Sequence, residues 1–271
     1  GIGNISQSSE IAGAMEGLFG MSGLTTGVLL AVVVGIVVLG GVQRIGRVTS
    51  YMVPFMAIFY IGAGLAVILL RIDRVPAALA SIFTSAFSFE AVGGGVFGYA
   101  IMVAMRQGFA RGVFSNEAGL GSAPMAHAAS ETQEPVEQGM WGVFEVFIDT
   151  IVICSCTAFV MLLAPESVTS GLQGMNLLQA AMQYHLGSFG VVFIAVTLAL
   201  FSFSTFIGIL YYARCNVAYL FGDSWFWQTA YKVLALVMLV VGGMQAYTVV
   251  WDLGDVGIGL MTIFNLIALY P

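Results

Sequence analysis

Charged side chains are spaced so widely along this sequence that the gaps between them decide what it can fold into. Twenty-seven uncharged residues separate Glu16 from Arg44, and 23 separate Arg47 from Arg71. The interval between Arg74 and Arg106 holds 31 residues with Glu90 as its one acid. Further on, 16 residues lie between Asp149 and Glu166, 47 between Glu166 and Arg214, 19 between Lys232 and Asp252, and 16 follow Asp255. A helix of about 20 apolar residues crosses a bilayer, and in hydrocarbon only helices and closed barrels satisfy every backbone polar group. Gaps of these lengths predict membrane helices. Composition agrees: charged residues make 8% of the chain, against roughly 25% in a soluble domain, while 59% are hydrophobic. Such a chain cannot cover a soluble surface. That excludes a soluble enzyme, a nucleic-acid binder and a disordered protein.

The gaps predict seven complete spans, near 20–42, 48–70, 76–107, 137–164, 188–212, 228–244 and 246–269, preceded by the tail of another near 1–16. If the spans alternate, Arg44, Arg47, Arg106, Arg111, Arg214 and Lys232 share one side and only Arg71 and Arg74 lie on the other. The positive-inside rule makes the first side cytoplasmic. The loop after residue 164 then lies outside, and 174–186, too short to span, is expected to be a helix on the outer surface. The chain opens at Gly1 without a signal-peptide pattern and is expected to be a fragment of a longer protein.

Three consecutive glycines, Gly93-Gly94-Gly95, fall inside the span 76–107 just after Glu90. Each costs a helix roughly 1 kcal/mol relative to alanine, which predicts a broken helix whose free ends can bind an anionic group and a cation. Glycine for close helix packing is the competing reading. Glu90 is an ionisable group in a span, hence a site candidate by default. Glu145 and Asp149, spaced i,i+4, share a face but open a span and are expected simply to face water. Asp252 and Asp255 fit a pore or an outer boundary equally. Ser202, Ser204 and Thr205 form a hydroxyl cluster. They either bond back to the preceding turn or offer oxygens to a small hard cation. Asn4 and Gln7 could face the same cavity or glue helices together. His127 and His185 have no second His or Cys at metal-ligand spacing. No nucleophile elbow or phosphate loop is present. Cys154 and Cys156 read as small hydrophobes.

The segment Gly108-Phe-Ala-Arg-Gly-Val-Phe-Ser-Asn-Glu-Ala-Gly-Leu-Gly-Ser-Ala-Pro-Met-Ala-His-Ala-Ala-Ser130 is more specific. It resembles the signature of the alanine/glycine:cation symporters, also called sodium:alanine symporters. Further blocks match in order: Gly1-Ile-Gly-Asn-Ile-Ser-Gln7, Gly40-Gly-Val-Gln-Arg-Ile-Gly-Arg47, Phe201-Ser-Phe-Ser-Thr205 with Tyr211-Tyr212, and Trp251-Asp-Leu-Gly-Asp255 with Asn265-Leu-Ile-Ala268. The resemblance covers essentially the whole chain.

It implies an all-α integral membrane protein with the leucine-transporter fold, two inverted five-helix repeats with the first and sixth helices unwound, incomplete here at its N-terminus. The chain would begin in the third helix, and residues 1–271 alone are not expected to transport. The implied activity is cation-coupled symport of a small neutral amino acid such as alanine or glycine, in a prokaryotic plasma membrane. Sodium or a proton would be the coupling ion, with no other cofactor, no nucleic acid and no enzyme activity. Gln7, Gly93, Gly94, Gly95, Thr205 and Ile209 would line the substrate; Ser204 and Thr205 would hold the cation. Asn116 and Glu117, in the gate segment 108–130, would bond to a neighbouring helix or backbone. A passive channel or a non-transporting subunit of a complex is the alternative.

Three positions depart from the family pattern. Ile209 stands where tryptophan is usual, which opens the side-chain pocket beyond methyl. Glu90 replaces a neutral glutamine and could couple transport to protons. Phe264 stands where proline is usual.

Overall fold

The computed structural model describes residues 2–39, 41–87, 94–117, 119–245 and 247–270. Among them there is no strand, and helix follows helix. The first three are α1 (Ile2–Phe19), α2 (Gly23–Leu39) and α3 (Gly41–Leu70). A single 3-10 turn leads to α4 (Val75–Phe87) and then α5 (Gly94–Asn116). After the short α6 (Ala123–His127) come α7 (Pro135–Val146), a π-helix over Phe147–Cys154, and α8 (Ser155–Leu162). The rest are α9 (Glu166–Thr169), α10 (Gly174–Leu186), α11 (Ser188–Phe221), α12 (Trp225–Met244) and α13 (Tyr247–Leu269).

Five helical stretches among the described residues are long and apolar enough to cross a membrane: Arg47–Leu70, Pro135–Leu162, Ser188–Phe221, Trp225–Met244 and Val249–Leu269. The pair Asn4–Phe19 and Gly23–Val38 also qualifies when taken together, bent by 119° at the break. Large apolar side chains stay exposed on many faces, among them Phe55, Ile58 and Leu69 of α3, Val143 of α7 and Phe264 of α13. Soluble monomers rarely expose contiguous apolar surface on this scale. This is an all-α, multi-pass membrane protein.

Several boundaries differ from the sequence reading. The interval 76–107 holds α4 and α5; Glu90 and Gly93 lie outside the described residues, while Gly94 and Gly95 form the first turn of α5. Helix α5 runs on to Asn116, so the first part of the segment 108–130 is helical. Helix α11 continues to Phe221, past the charge at Arg214 that suggested an end near 212. An arginine does not stop a helix; Gly222, at φ +80°, does.

The chain forms two compact units. In the first (1–60 and 168–257), α1, α2, α11 and α12 enclose a core of Ile11, Val34, Val38, Phe206, Leu210, Ala235 and Leu239. Glycines let these helices approach closely. A Cβ on Gly242 would lie 2.7 Å from the Ile5 carbonyl oxygen, and one on Gly23 would run into that of Gly243. Small residues at such crossings replace side-chain volume by backbone contact. Because the obstructing atoms are backbone, they cannot swing aside. Gly242→Val should therefore cost at least ~1–3 kcal/mol by overpacking. The expected result is a lower midpoint for loss of detergent-solubilised monomer on heating; an unchanged midpoint would refute the close approach.

In the second unit (61–167 and 258–271), α8 packs on α4 and touches the end of α3. Gly64 lies so close to Cys156 that an added Cβ would stand 3.0 Å from the cysteine Cβ. Arg74 Nη1 donates to the Leu163 carbonyl at 3.4 Å, fixing the end of the following span.

Candidate transport site and gate

Within the first unit, α1 is the polar helix of an otherwise apolar bundle. Asn4, Ser6 and Ser8 are buried there, and Ser8 Oγ donates to the Leu239 carbonyl of α12 at 2.6 Å. Gln7 faces α11: its Oε1 accepts a hydrogen bond from Ser202 Oγ at 2.8 Å. Ser202 is fully buried, and its neighbour Phe201 is held edge-on by Tyr60 of α3, with centroids 5.6 Å apart. The structure thus brings Gln7 and the hydroxyl cluster together.

Ser204 and Thr205 both direct their protons back to the Phe201 carbonyl, at 2.7 and 3.0 Å. That is the helix-internal bond common for such residues. It does not consume their oxygens, because a hydroxyl carries one donor and two lone pairs. Ile209 lies half-buried one turn beyond Thr205. Asn4 is completely buried, and neither its Nδ2 nor its Oδ1 has a hydrogen-bond partner among the described residues. Buried amides left unpaired in this way are rare.

One acid in this unit escaped the sequence reading. Glu10, on α1 one turn beyond Gln7, accepts a hydrogen bond from Trp251 Nε1 of α13 at 3.3 Å. It also lines a cavity of about 950 Å³ with Glu16, Ser9, Gln173, Asn176 and Gln245, and none of the described lining residues is Lys, Arg or His. The signal was available: an acid inside a hydrophobic span is a functional candidate. Treating 1–16 as a mere tail hid it.

The second unit holds Asn116 and Glu117. Asn116 Oδ1 accepts from Thr150 Oγ1 of the π-helix at 2.9 Å, while its Nδ2 donates to the Gly112 carbonyl at 3.0 Å. Next to it, Ser115 Oγ donates to Asp149 Oδ2. Asp149, expected to face water, is half-exposed and also accepts this bond from α5. Glu117 occupies the left-handed region (φ +50°) and accepts from Ser122 Oγ at 2.6 Å. This closes the turn after α5. Asn265 of α13 then donates to the Gly119 carbonyl at 3.0 Å. Gly121, at φ +80°, is tight against the same side chain, since a Cβ would meet Asn265 Oδ1 at 2.7 Å. His127 and Glu145 approach at 4.0 Å on an exposed face, where such pairs contribute little. Gly94 and Gly95 belong to this unit, at the start of α5. Among the described residues no group of His, Cys, Asp and Glu could hold a metal ion.

The family model described as the sodium:alanine symporter family matches residues 1–271. The chain is 41% identical over 267 residues to a Bacillus subtilis protein named probable sodium/glutamine symporter GlnT, covering 98% of this chain and 55% of that protein. It is 39% identical over 271 residues to the sodium/alanine symporter AgcS of Methanococcus maripaludis, covering 99% and 58%. It is 33% identical over 282 residues to a sodium/proton-dependent alanine carrier protein of Bacillus sp. (strain PS3), covering 97% and 62%. The chain therefore spans a little over half the length of these relatives. With the model matched from first residue to last, on a chain built of membrane helices, the chain belongs to the sodium:alanine symporter family, whose members are transporters and not enzymes.

Proposed function

We propose that the full-length protein is a cation-coupled symporter of a small neutral amino acid, working by alternating access in a prokaryotic plasma membrane. The observation that carries this reading is the half-buried contact of Gln7 with Ser202, beside the hydroxyls of Ser204 and Thr205. Gln7, Thr205 and Ile209 would line the substrate, and Ser204 and Thr205 would supply cation ligands; Gly93, Gly94 and Gly95 stay substrate-binding candidates on the family resemblance. Asn4 adds to the same helix a buried amide that has no hydrogen-bond partner among the described residues. Asn116 and Glu117 would hold the cytoplasmic gate. The leucine-transporter type of repeat is the architecture this scheme requires. It is supported by the family match and by the packing of α1 on α11.

The relatives' names span sodium with alanine, sodium with glutamine, and sodium or proton with alanine. That range supports a neutral amino acid as substrate, and Ile209 favours side chains beyond methyl. The test is uptake by proteoliposomes holding the full-length protein under an inward sodium gradient. Saturable alanine uptake that collapses when the gradient is dissipated is expected. Uptake that is linear in substrate and indifferent to sodium and pH would instead indicate a passive channel.

Glu90 gives the proton reading its own test. If it titrates during the cycle, wild-type uptake should depend on pH, and Glu90→Gln should flatten that profile. An unchanged profile would remove Glu90 from the coupling.

A further inference from the structure

Eight residues in the middle of the span 135–162 leave the α-helical register: Phe147–Cys154 form a π-helix between α7 and α8. Its N–H groups bond five residues back instead of four, so the segment holds one residue more than the α-helix it interrupts. Returning it to the α register would turn the helix on one side by about 100° relative to the other and shift it by about 1.5 Å. Such insertions occur mostly as single turns and frequently at functional sites.

The two sides are not equally free to turn. Helix α8 is anchored: Cys156 and Val160 are buried, Cys156 sits against Gly64, and Leu163 just beyond is buried with its carbonyl bonded to Arg74. Helix α7 has no buried residue. A change of register is therefore taken up by α7 and the first half of the π segment, where Asp149 and Thr150 lie.

Those two residues grip the end of α5. Asp149 accepts from Ser115, and Thr150 Oγ1 donates to Asn116 Oδ1 at 2.9 Å. Asn116 is itself fixed by its bond to Gly112, so it cannot follow a side chain that turns away. Both bonds depend on helix phase, and a turn of about 100° would carry Asp149 and Thr150 to another face.

We propose that Phe147–Cys154 is a register switch: its π form holds the end of α5 closed through Asp149 and Thr150, and its α form releases it. As a gate movement this rests on the symport reading; as a two-state element it does not. Asp149 and Thr150 act here as positioning residues, through their bonds to Ser115 and Asn116. Losing one such hydrogen bond should shift the closed-to-released ratio by roughly 2- to 10-fold.

Two measurements on the full-length protein test it, each in a background with every native cysteine, Cys154, Cys156 and Cys215 included, replaced by alanine. In the first, spin labels at Gly139→Cys on α7 and Arg106→Cys on α5 report their separation. Two distance populations are expected, with Thr150→Val shifting their ratio by roughly 2- to 10-fold and Thr150→Ser restoring it. A single distance that Thr150→Val leaves unchanged would overturn the switch, whether or not the protein transports.

In the second, Asn116→Cys and Thr150→Cys are cross-linked in proteoliposomes. Sodium-dependent alanine binding should survive, uptake should fall at least about tenfold, and a reductant should restore it, as for a movement that gates each cycle. A cross-linked protein transporting as fast as the reduced one would show the segment to be static support. Switching distances in a protein whose uptake follows neither a sodium nor a proton gradient would leave the register switch standing and sink the symport reading alone.

Discussion

Uptake by the full-length protein should narrow to alanine and glycine when Ile209 is replaced by tryptophan. Ile209 is half-buried one turn beyond Thr205 on α11. Its neighbours Phe206, Ile207 and Leu210 are at most 2% exposed, so the helix cannot rotate a larger side chain away. An indole at this position fills space that a substrate side chain would otherwise occupy. One methylene too many in an apolar pocket costs about 10- to 200-fold in kcat/KM. Serine, valine and leucine should lose uptake by factors in that range, while alanine and glycine keep most of theirs. Competition against labelled alanine measures it. A wild-type protein that already rejects the larger amino acids would refute the role given to Ile209.

Removing both hydroxyls next to the Gln7–Ser202 contact should act on the ion instead. In Ser204→Ala combined with Thr205→Val, the Phe201 carbonyl loses two side-chain donors, a minor loss for a helical carbonyl. What disappears is a pair of oxygens able to face a cation, which hard monovalent ions need in place of water. The half-saturating sodium concentration is expected to rise about 10- to 100-fold, equivalent to roughly 1.4–2.8 kcal/mol. Single variants that keep an oxygen, such as Thr205→Ser, should stay close to wild type. Unaltered sodium dependence in the double variant would mean that these hydroxyls serve only the helix.

The membrane-helical class was legible because it follows from charge spacing, which needs no long-range information. Helix ends were less so. Arg214 looked like a boundary, yet a long basic side chain can leave the apolar zone while its backbone stays helical; α11 stops instead at Gly222, where φ is positive. The contact of Gln7 with Ser202 joins residues 195 positions apart. Both had been singled out as polar residues in apolar spans, but nothing in either segment names the other as partner. The π register had no signal: among its eight residues, Phe-Ile-Asp-Thr-Ile-Val-Ile-Cys, Asp149 stands out as an acid in a span, which marks a site candidate and not a helix register. Its register is set by what it packs against. Asp149 shows this best: its bond to Ser115 depends on that register, and the i,i+4 spacing of Glu145 and Asp149 says nothing of it.

Helix α11 has 34 residues, which makes it about 51 Å long against about 30 Å of hydrocarbon. Held upright, it would project some 20 Å from the bilayer, roughly four turns. Its last turns and the start of α12 carry Tyr219, Phe221, Trp225 and Trp227, all exposed, with Tyr219 at 90%. Tyrosine and tryptophan prefer the headgroup layer, and excess helix length is commonly absorbed by tilt. These aromatics therefore set where α11 floats and how steeply it leans, and a thicker bilayer should pull on the same helix that bears the hydroxyl cluster.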